Sequence, residues 1–136
     1  MDGKYKSILS LEKYIVNEIK FKRNKEYKGE KLNIDFSINK NISYNKDIMI
    51  VDLTTRVFED SEKNNYPFEM EVKVEGIFKY EGEIKYNLEA NAIAILYPFI
   101  RAIVANYTAN ANVNSLILPI INVNKFIEEC EKEEQK

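Results

Sequence analysis

Apolar residues recur along this chain at two different spacings, and the change from one to the other divides it. Over the first 80 residues the spacing is two. Ile15, Ile19 and Phe21 share a parity within Tyr14 to Lys22, with Asn17 as an exception. Leu32, Ile34, Phe36 and Ile38 alternate with Asn33, Asp35, Ser37 and Asn39, and Ile42 and Tyr44 continue the series past Lys40. Met49, Val51, Leu53 and Val57 oppose Asp52, Thr54 and Arg56. Phe68, Met70, Val72, Val74, Phe78 and Tyr80 oppose Glu69, Glu71, Lys73, Glu75 and Lys79. Alternation of this kind predicts strands with one apolar and one solvated face. The expected strands are Tyr14 to Lys22, Leu32 to Tyr44, Ile48 to Glu59 and Phe68 to Tyr80. The turn signal Asn45-Lys46-Asp47 and the polar stretch Asp60 to Tyr66 separate the last three, consistent with an antiparallel meander. Gly76 inside the fourth strand marks a bulge or a close backbone approach.

From Ala92 onward the period changes. Ala92 to Tyr107 is apolar on nearly every side, and an extended apolar connector leads to a short segment ending in Glu128, Glu129, Glu131, Glu133 and Glu134. Helices are expected in both places. Pro98 kinks the first or starts its main part, because proline has no N–H for the helical ladder. Asn122 or Asn124 caps the second, whose glutamates are expected to favour its N-terminal half. Strands first and helices after gives an α+β fold in one domain, residues 1–136, with 1–12 and 132–136 as flexible ends. A helix without a polar face has to be covered on both sides. One sheet supplies one cover, so a second subunit is expected to supply the other.

Composition narrows the chemistry. Twenty basic residues against 22 acidic ones give a net charge of −2, which argues against a nucleic-acid partner. The chain has no histidine and a single cysteine, Cys130, so neither a His–Cys metal set nor a Cys–His nucleophile is possible. The four glycines, Gly3, Gly29, Gly76 and Gly82, are scattered and form no phosphate loop. No catalytic residue, metal site or cofactor is expected. Residues 88–109 approach the length of a membrane span, but Glu89, Asn91, Pro98, Arg101 and Asn106 interrupt them. Residues 1–10 lack a signal-peptide pattern, so a cytoplasmic protein without membrane insertion is expected.

Three short motifs, in order after the strands, resemble those of the SecB-like export chaperones. Glu75-Gly76-Ile77-Phe78 looks like that family's Gly-Ile-Phe signature at the end of the last strand. Leu96-Tyr97-Pro98-Phe99-Ile100-Arg101 is similar to its Leu-Phe-Pro-Tyr-Ala-Arg, and Leu118-Pro119-Ile120-Ile121-Asn122-Val123 to its Leu-Pro-Pro-Ile-Asn-Phe. The resemblance covers roughly residues 14 to 132. It implies a homotetramer, a dimer of dimers, that holds unfolded or precursor polypeptides in apolar grooves without ATP. It places clients against Tyr27, Leu32, Ile34, Phe36, Val123, Phe126, Ile127 and Cys130. It places subunit contacts at Ile15, Ile19 and Phe21 in the first strand and at Ile93, Tyr97, Ile100 and Val104 in the long helix. Glu71, with Glu69 beside it, matches an acid that docks the motor ATPase SecA. The chain departs from the pattern in three ways, the first being that the family's Asp-x-Ser-Phe-Glu near the first strand is absent. Asn110-Ala111-Asn112-Val113-Asn114 replaces an Arg-Gly-x-Phe-Pro turn, and Arg23 and Lys25 stand near where the family carries docking acids. A cognate toxin–antitoxin pair is therefore as good a partner as SecA.

The residues themselves leave alternatives open. Leu32, Ile34 and Phe36 can equally be core, and Tyr27 either a surface tyrosine or a groove wall. Arg101 is expected to pair with a carboxylate at an interface. A carrier of a small hydrophobic ligand and a purely structural oligomerisation domain are the competing readings.

Overall fold

A computed structural model describes residues 9–29, 33–81 and 86–134. Leu32, and the outermost parts of the expected flexible ends, residues 1–8 and 135–136, lie outside the described residues. The elements run β1 (Leu9–Arg23), β2 (Phe36–Asn45), β3 (Ile48–Val57), α1 (Ser61–Asn64), β4 (Phe68–Tyr80), α2 (Tyr86–Asn110) and α3 (Val123–Glu134). β1 thus starts at Leu9, inside the stretch expected to be a lead-in, and α3 continues to Glu134.

The strands form one antiparallel sheet in the order β1-β4-β3-β2. The last three follow the expected meander. A tight turn with Lys46 in the left-handed region joins β2 to β3, and α1 fills the polar stretch between β3 and β4. β1 departs from it: instead of lying beside β2 it crosses to the far edge and pairs with β4. This leaves both β1 and β2 as outer strands.

The β1–β4 register slips twice, between Leu11 and Lys13 and between Val16 and Glu18. Each extra residue in a strand reverses the facing of the residues after it. Ile19 and Phe21 pair with Val72 and Met70 and face the core, whereas Ile15 pairs with Glu75 on the opposite face. The single apolar face expected for Ile15, Ile19 and Phe21 is therefore broken at Asn17. Tyr14 and Val16 take the helix-side positions instead.

The helices cover one face of the sheet. Met49, Val51, Leu53 and Val57 of β3, and Phe68, Met70, Val72, Val74 and Phe78 of β4, are buried together with Ile93, Leu96, Ile100 and Val104 of α2. Pro98 lies inside α2. Its side is exposed, as is that of Ala94 one turn earlier, so the carbonyl deprived of a donor faces away from the core.

Gly76 explains how closely α2 is seated. The β3–β4 register passes through it without a bulge. A Cβ built there would lie 3.0 and 3.1 Å from the two methyls of Leu96 and 2.9 Å from Phe78 Cε1. Close approach, not a bulge, is thus what this glycine provides. At its start α2 is tied to the opposite edge of the sheet, where the Tyr44 hydroxyl of β2 donates to the Glu89 carboxylate. Tyr44 also meets the Tyr80 ring edge-on, and the Tyr80 hydroxyl donates to the Lys46 carbonyl at 2.8 Å.

Gly76→Ala is expected to lower stability by about 1–3 kcal/mol through overpacking against Leu96, read as a reduced urea midpoint at unchanged slope. A second expectation concerns pH. Burial, and then the hydrogen bond and charge of Glu89, raise the Tyr44 pKa above its ordinary value, and burial also raises that of Tyr97. Both groups stabilise the fold fully below the ordinary tyrosine pKa of about 10, and that contribution is lost as pH rises through their folded values. Thermal midpoints should fall above about pH 10, and less so in Tyr44→Phe.

Candidate client grooves

Two apolar furrows flank the start of β2. The first, of about 440 Å³, lies between β2 and α3 and is lined by Phe36, Ile38, Ile121, Phe126 and Cys130, with Ser37, Asn39, Asn122, Lys125 and Glu129 along its rim. The second, of about 290 Å³, is lined by Tyr27, Ile34, Phe58, Pro67, Phe68 and residues 113–116. Ile34 of the second furrow stands two residues before Phe36 of the first.

Local chemistry builds each wall. Asn122 caps α3, its Oδ1 accepting from Lys125 N–H at 3.0 Å, the first of the two candidate caps. The α3 glutamates begin only at Glu128, the sixth of the helix's 12 residues, and none lies in its first turn, so they do not complement its N-terminal dipole as expected. Ile127 is buried beneath α3, while Val123, Phe126 and Cys130 are only half-covered. Phe58 has a φ of 55°, an uncommon conformation for an aromatic residue. Alternation would send it outward after Val57; the left-handed turn sends it inward instead. There it packs on Tyr66 at 4.8 Å and Phe68 at 5.2 Å between ring centroids. Its N–H still donates to the Asp35 carbonyl at 2.9 Å, which extends the β2–β3 ladder by one bond.

Asn24 places Tyr27. This asparagine is buried in the crossover after β1. Its Nδ2 donates to the carbonyls of Ser61 at 3.1 Å and Tyr66 at 2.9 Å, and its Oδ1 accepts from Glu26 N–H at 3.0 Å. Lys28 N–H donates to Asn65 Oδ1 at 3.1 Å. The crossover is thereby fastened to the α1 turn on both sides of Tyr27. Neither Asn24, Asn65 nor Phe58 carries a pattern by which the sequence alone would single it out. A buried asparagine is read from its partners, and a left-handed phenylalanine from its backbone.

The client residues expected from sequence therefore divide. Phe36, Phe126 and Cys130 line the first furrow, and Tyr27 and Ile34 the second. Val123 is half-buried at the start of α3, and Ile127 is core.

The expected subunit contacts change sides. Ile93, Tyr97, Ile100 and Val104 are buried in the chain's own core, because they are the face of α2 that meets the sheet. Phe21 packs on Phe68 and Tyr107, at 5.2 and 5.4 Å between centroids, and Ile19 packs against the core with it. Ile15 is exposed on the other face. What α2 and β1 leave uncovered is Ile95, Phe99, Tyr14 and Val16, with the Tyr14 and Phe99 rings stacked at 4.6 Å.

The acids Glu69 and Glu71 stand on the sheet face opposite α2, and both are engaged. Glu71 accepts from Arg56 Nε at 2.9 Å and lies 3.8 Å from Lys20 Nζ. Glu69 accepts from the Ser61 hydroxyl at 2.9 Å. Among the described residues Arg101 does not form the expected pair with a carboxylate; its Nε donates to the Leu118 carbonyl at 2.8 Å. No group of three or more Cys, Asp or Glu side chains able to hold a metal occurs among the described residues.

The profile of the family described as "Preprotein translocase subunit SecB" matches residues 3–134. The chain belongs to the SecB family. This is a family of chaperones and not of enzymes. Protein MJ0357 of Methanocaldococcus jannaschii is 35% identical over a 133-position alignment that covers 90% of this chain and 84% of that one. In fold the chain is similar to the SecB-like chaperone Rv1957 of Mycobacterium tuberculosis, solved in complex with a ChAD peptide from the Rv1956 HigA1 antitoxin. The TM-score is 0.67 at 15% identity, covering 84% of this chain and 90% of that one. A protein of unknown function from Streptococcus agalactiae has a TM-score of 0.53 at 12% identity, covering 82% and 97%. The SecB-like fold expected from the three motifs is thus the fold found.

Asn24→Ala is expected to destabilise the chain by about 1–3 kcal/mol, since it strips buried carbonyls of their donor. Tyr27 should then gain mobility, seen as faster hydrogen exchange of the Glu26 and Lys28 amides than in the parent chain.

Proposed function

We propose that this SecB-family chaperone is an ATP-independent holdase whose two furrows grip apolar segments of unfolded polypeptides. The observation that carries the reading is the furrow between β2 and α3. Phe36, Ile38 and Phe126 are left half-covered there although α3 has a core peg, Ile127, directly beneath. A client side chain of leucine or phenylalanine size, once buried, contributes roughly 1.5–3 kcal/mol before ordering costs. Several such anchors give useful affinity with little sequence preference. The antitoxin peptide held by the similar Mycobacterium chaperone supports a peptide segment as the occupant, whether from an exported precursor or a dedicated partner.

The uncovered patch of Tyr14, Val16, Ile95 and Phe99 supports self-association, with a tetramer as the working state. Docking of SecA on Glu69 and Glu71 forms no part of the proposal, because those carboxylates already have partners inside the chain. α2 is long and apolar enough to span a bilayer by length and composition, but 44% of its most apolar window is buried within the chain. A core helix of a cytoplasmic protein accounts for it.

The test is suppression of aggregation of a denatured reporter protein, with and without ATP. Wild-type protein should suppress it equally in both. Phe36→Asp and Phe126→Asp should each weaken suppression about tenfold, while circular dichroism and solution mass stay as in the parent. Loss of fold in both variants would mark these side chains as core and end the holdase reading. A lipid-like molecule retained on purification, without suppression, would favour a hydrophobic-ligand carrier instead.

A further inference from the structure

The connector between α2 and α3 has little secondary structure of its own, yet it is tightly held. Leu118 is fully buried, while its neighbours Ile117 and Ile120 are 65% and 82% exposed. Four side chain–backbone hydrogen bonds fasten it to one stripe of α2. Leu116 N–H donates to Thr108 Oγ1 at 2.8 Å, and Ser115 Oγ donates to the Ala105 carbonyl at 3.0 Å. Arg101 Nε donates to the Leu118 carbonyl at 2.8 Å, and the Tyr97 hydroxyl donates to the Pro119 carbonyl at 2.7 Å. Residues 97, 101, 105 and 108 recur at helical spacing on one side of α2 and span about 16 Å along its axis. The connector runs antiparallel along that stripe.

The last clamp and the first residue of the α3 cap are close in sequence. Only Ile120 and Ile121 separate Pro119 from Asn122, whose side chain starts α3. Three residue steps of extended chain allow about 10 Å of reach, with little freedom to rotate α3 independently of the clamp. Phe126 and Cys130, carried on α3, form one wall of the first furrow. The connector's seat on α2 is thus coupled in sequence to the helix that carries that wall. Tyr97 is 4% exposed, and burial favours its neutral, hydrogen-donating form.

We propose that the Tyr97 hydroxyl is a positioning group for the client furrow: together with the Arg101 guanidinium it fixes the connector on α2 and thereby the place of Phe126 and Cys130 opposite β2. This rests on the reading of that furrow as the client site, but the clamp can be tested separately. Cys130 is the only cysteine in the chain, and it lines the furrow. Its rate of modification by a bulky maleimide reports the furrow's width without any client.

The variants are Tyr97→Phe, Arg101→Met and Arg101→Lys, each measured for Cys130 modification rate, thermal midpoint and affinity for a fluorescent, permanently unfolded test protein. Tyr97→Phe and Arg101→Met should each change the Cys130 rate and the client Kd by about 3- to 10-fold, the equivalent of one hydrogen bond. Arg101→Lys keeps a cationic donor and should restore most of both effects. A Cys130 rate that stays at the parent value in Tyr97→Phe and in Arg101→Met overturns the proposal, whatever happens to the thermal midpoint. A merely stabilising clamp would lower that midpoint and leave the native-state rate alone. Should the rates shift as expected while the parent protein binds no unfolded client, the clamp stands and the client reading fails.

Discussion

Everything on the helical side of this molecule is placed by the seating of Leu96 over Gly76. The glycine removes the one Cβ that would hold α2 off β4, and the Leu96 methyls take its place at contact distance. With α2 at that height, Ile93, Ile100 and Val104 reach the buried residues of β3 and β4, and the core closes. Tyr97, the residue after Leu96, and Arg101, one turn further on, come to lie where the connector passes. A helix lifted by the width of a methyl group would open voids in the core and carry the clamp away from the carbonyls it serves. The three short motifs of the sequence thus interlock. The first provides the notch, the second fills it and presents two donors, and the third presents the carbonyls that receive them and the asparagine that starts α3.

That interlocking shows why so much of the fold is legible in the chain. Period-two alternation is a direct record of a sheet with one covered face, and Phe68–Tyr80 is legible to its final residue because β4 is central and unbroken. The β1 register is not legible. Two bulges shift its parity: Asn17 shows only as a polar break in the apolar series, which does not distinguish a polar position from an extra residue, and Glu12 shows nothing. The position of β1 beside β4 is hidden for a related reason. Hydrophobic patterning tells which face a strand presents but not which neighbour it joins.

The faces of α2 differ from expectation in an instructive direction. A helix apolar on nearly all sides needs more cover than one sheet gives, but the side that the sheet takes is the one expected to meet a partner. Ile93, Tyr97, Ile100 and Val104 have the larger and more continuous apolar surface, and a chain's own sheet takes the best face first. What remains is the lesser stripe of Ile95 and Phe99, extended by Tyr14 and Val16 from the displaced parity of β1. The bulge at Asn17 therefore acts on the outer surface as well as on register. It aims two apolar β1 side chains toward the uncovered side of α2, where they enlarge one patch instead of being scattered.

The grooves arise from what the chain leaves unpacked. A well-packed domain of this size would close α3 onto β2 with interdigitating side chains. Here α3 is secured by the buried Ile127 and at its root by the clamp on α2. The half of α3 that faces β2 holds Phe126 and Cys130 across a furrow instead of in the core. On the other side of Phe36, Asn24 and the strained backbone of Phe58 hold Tyr27 and an aromatic floor apart in the same way. Polar fastenings placed behind an apolar wall keep that wall from collapsing onto its opposite. A surface so braced stays apolar and open without unpacking the chain's own core, which is what the proposed grip on unfolded polypeptides requires.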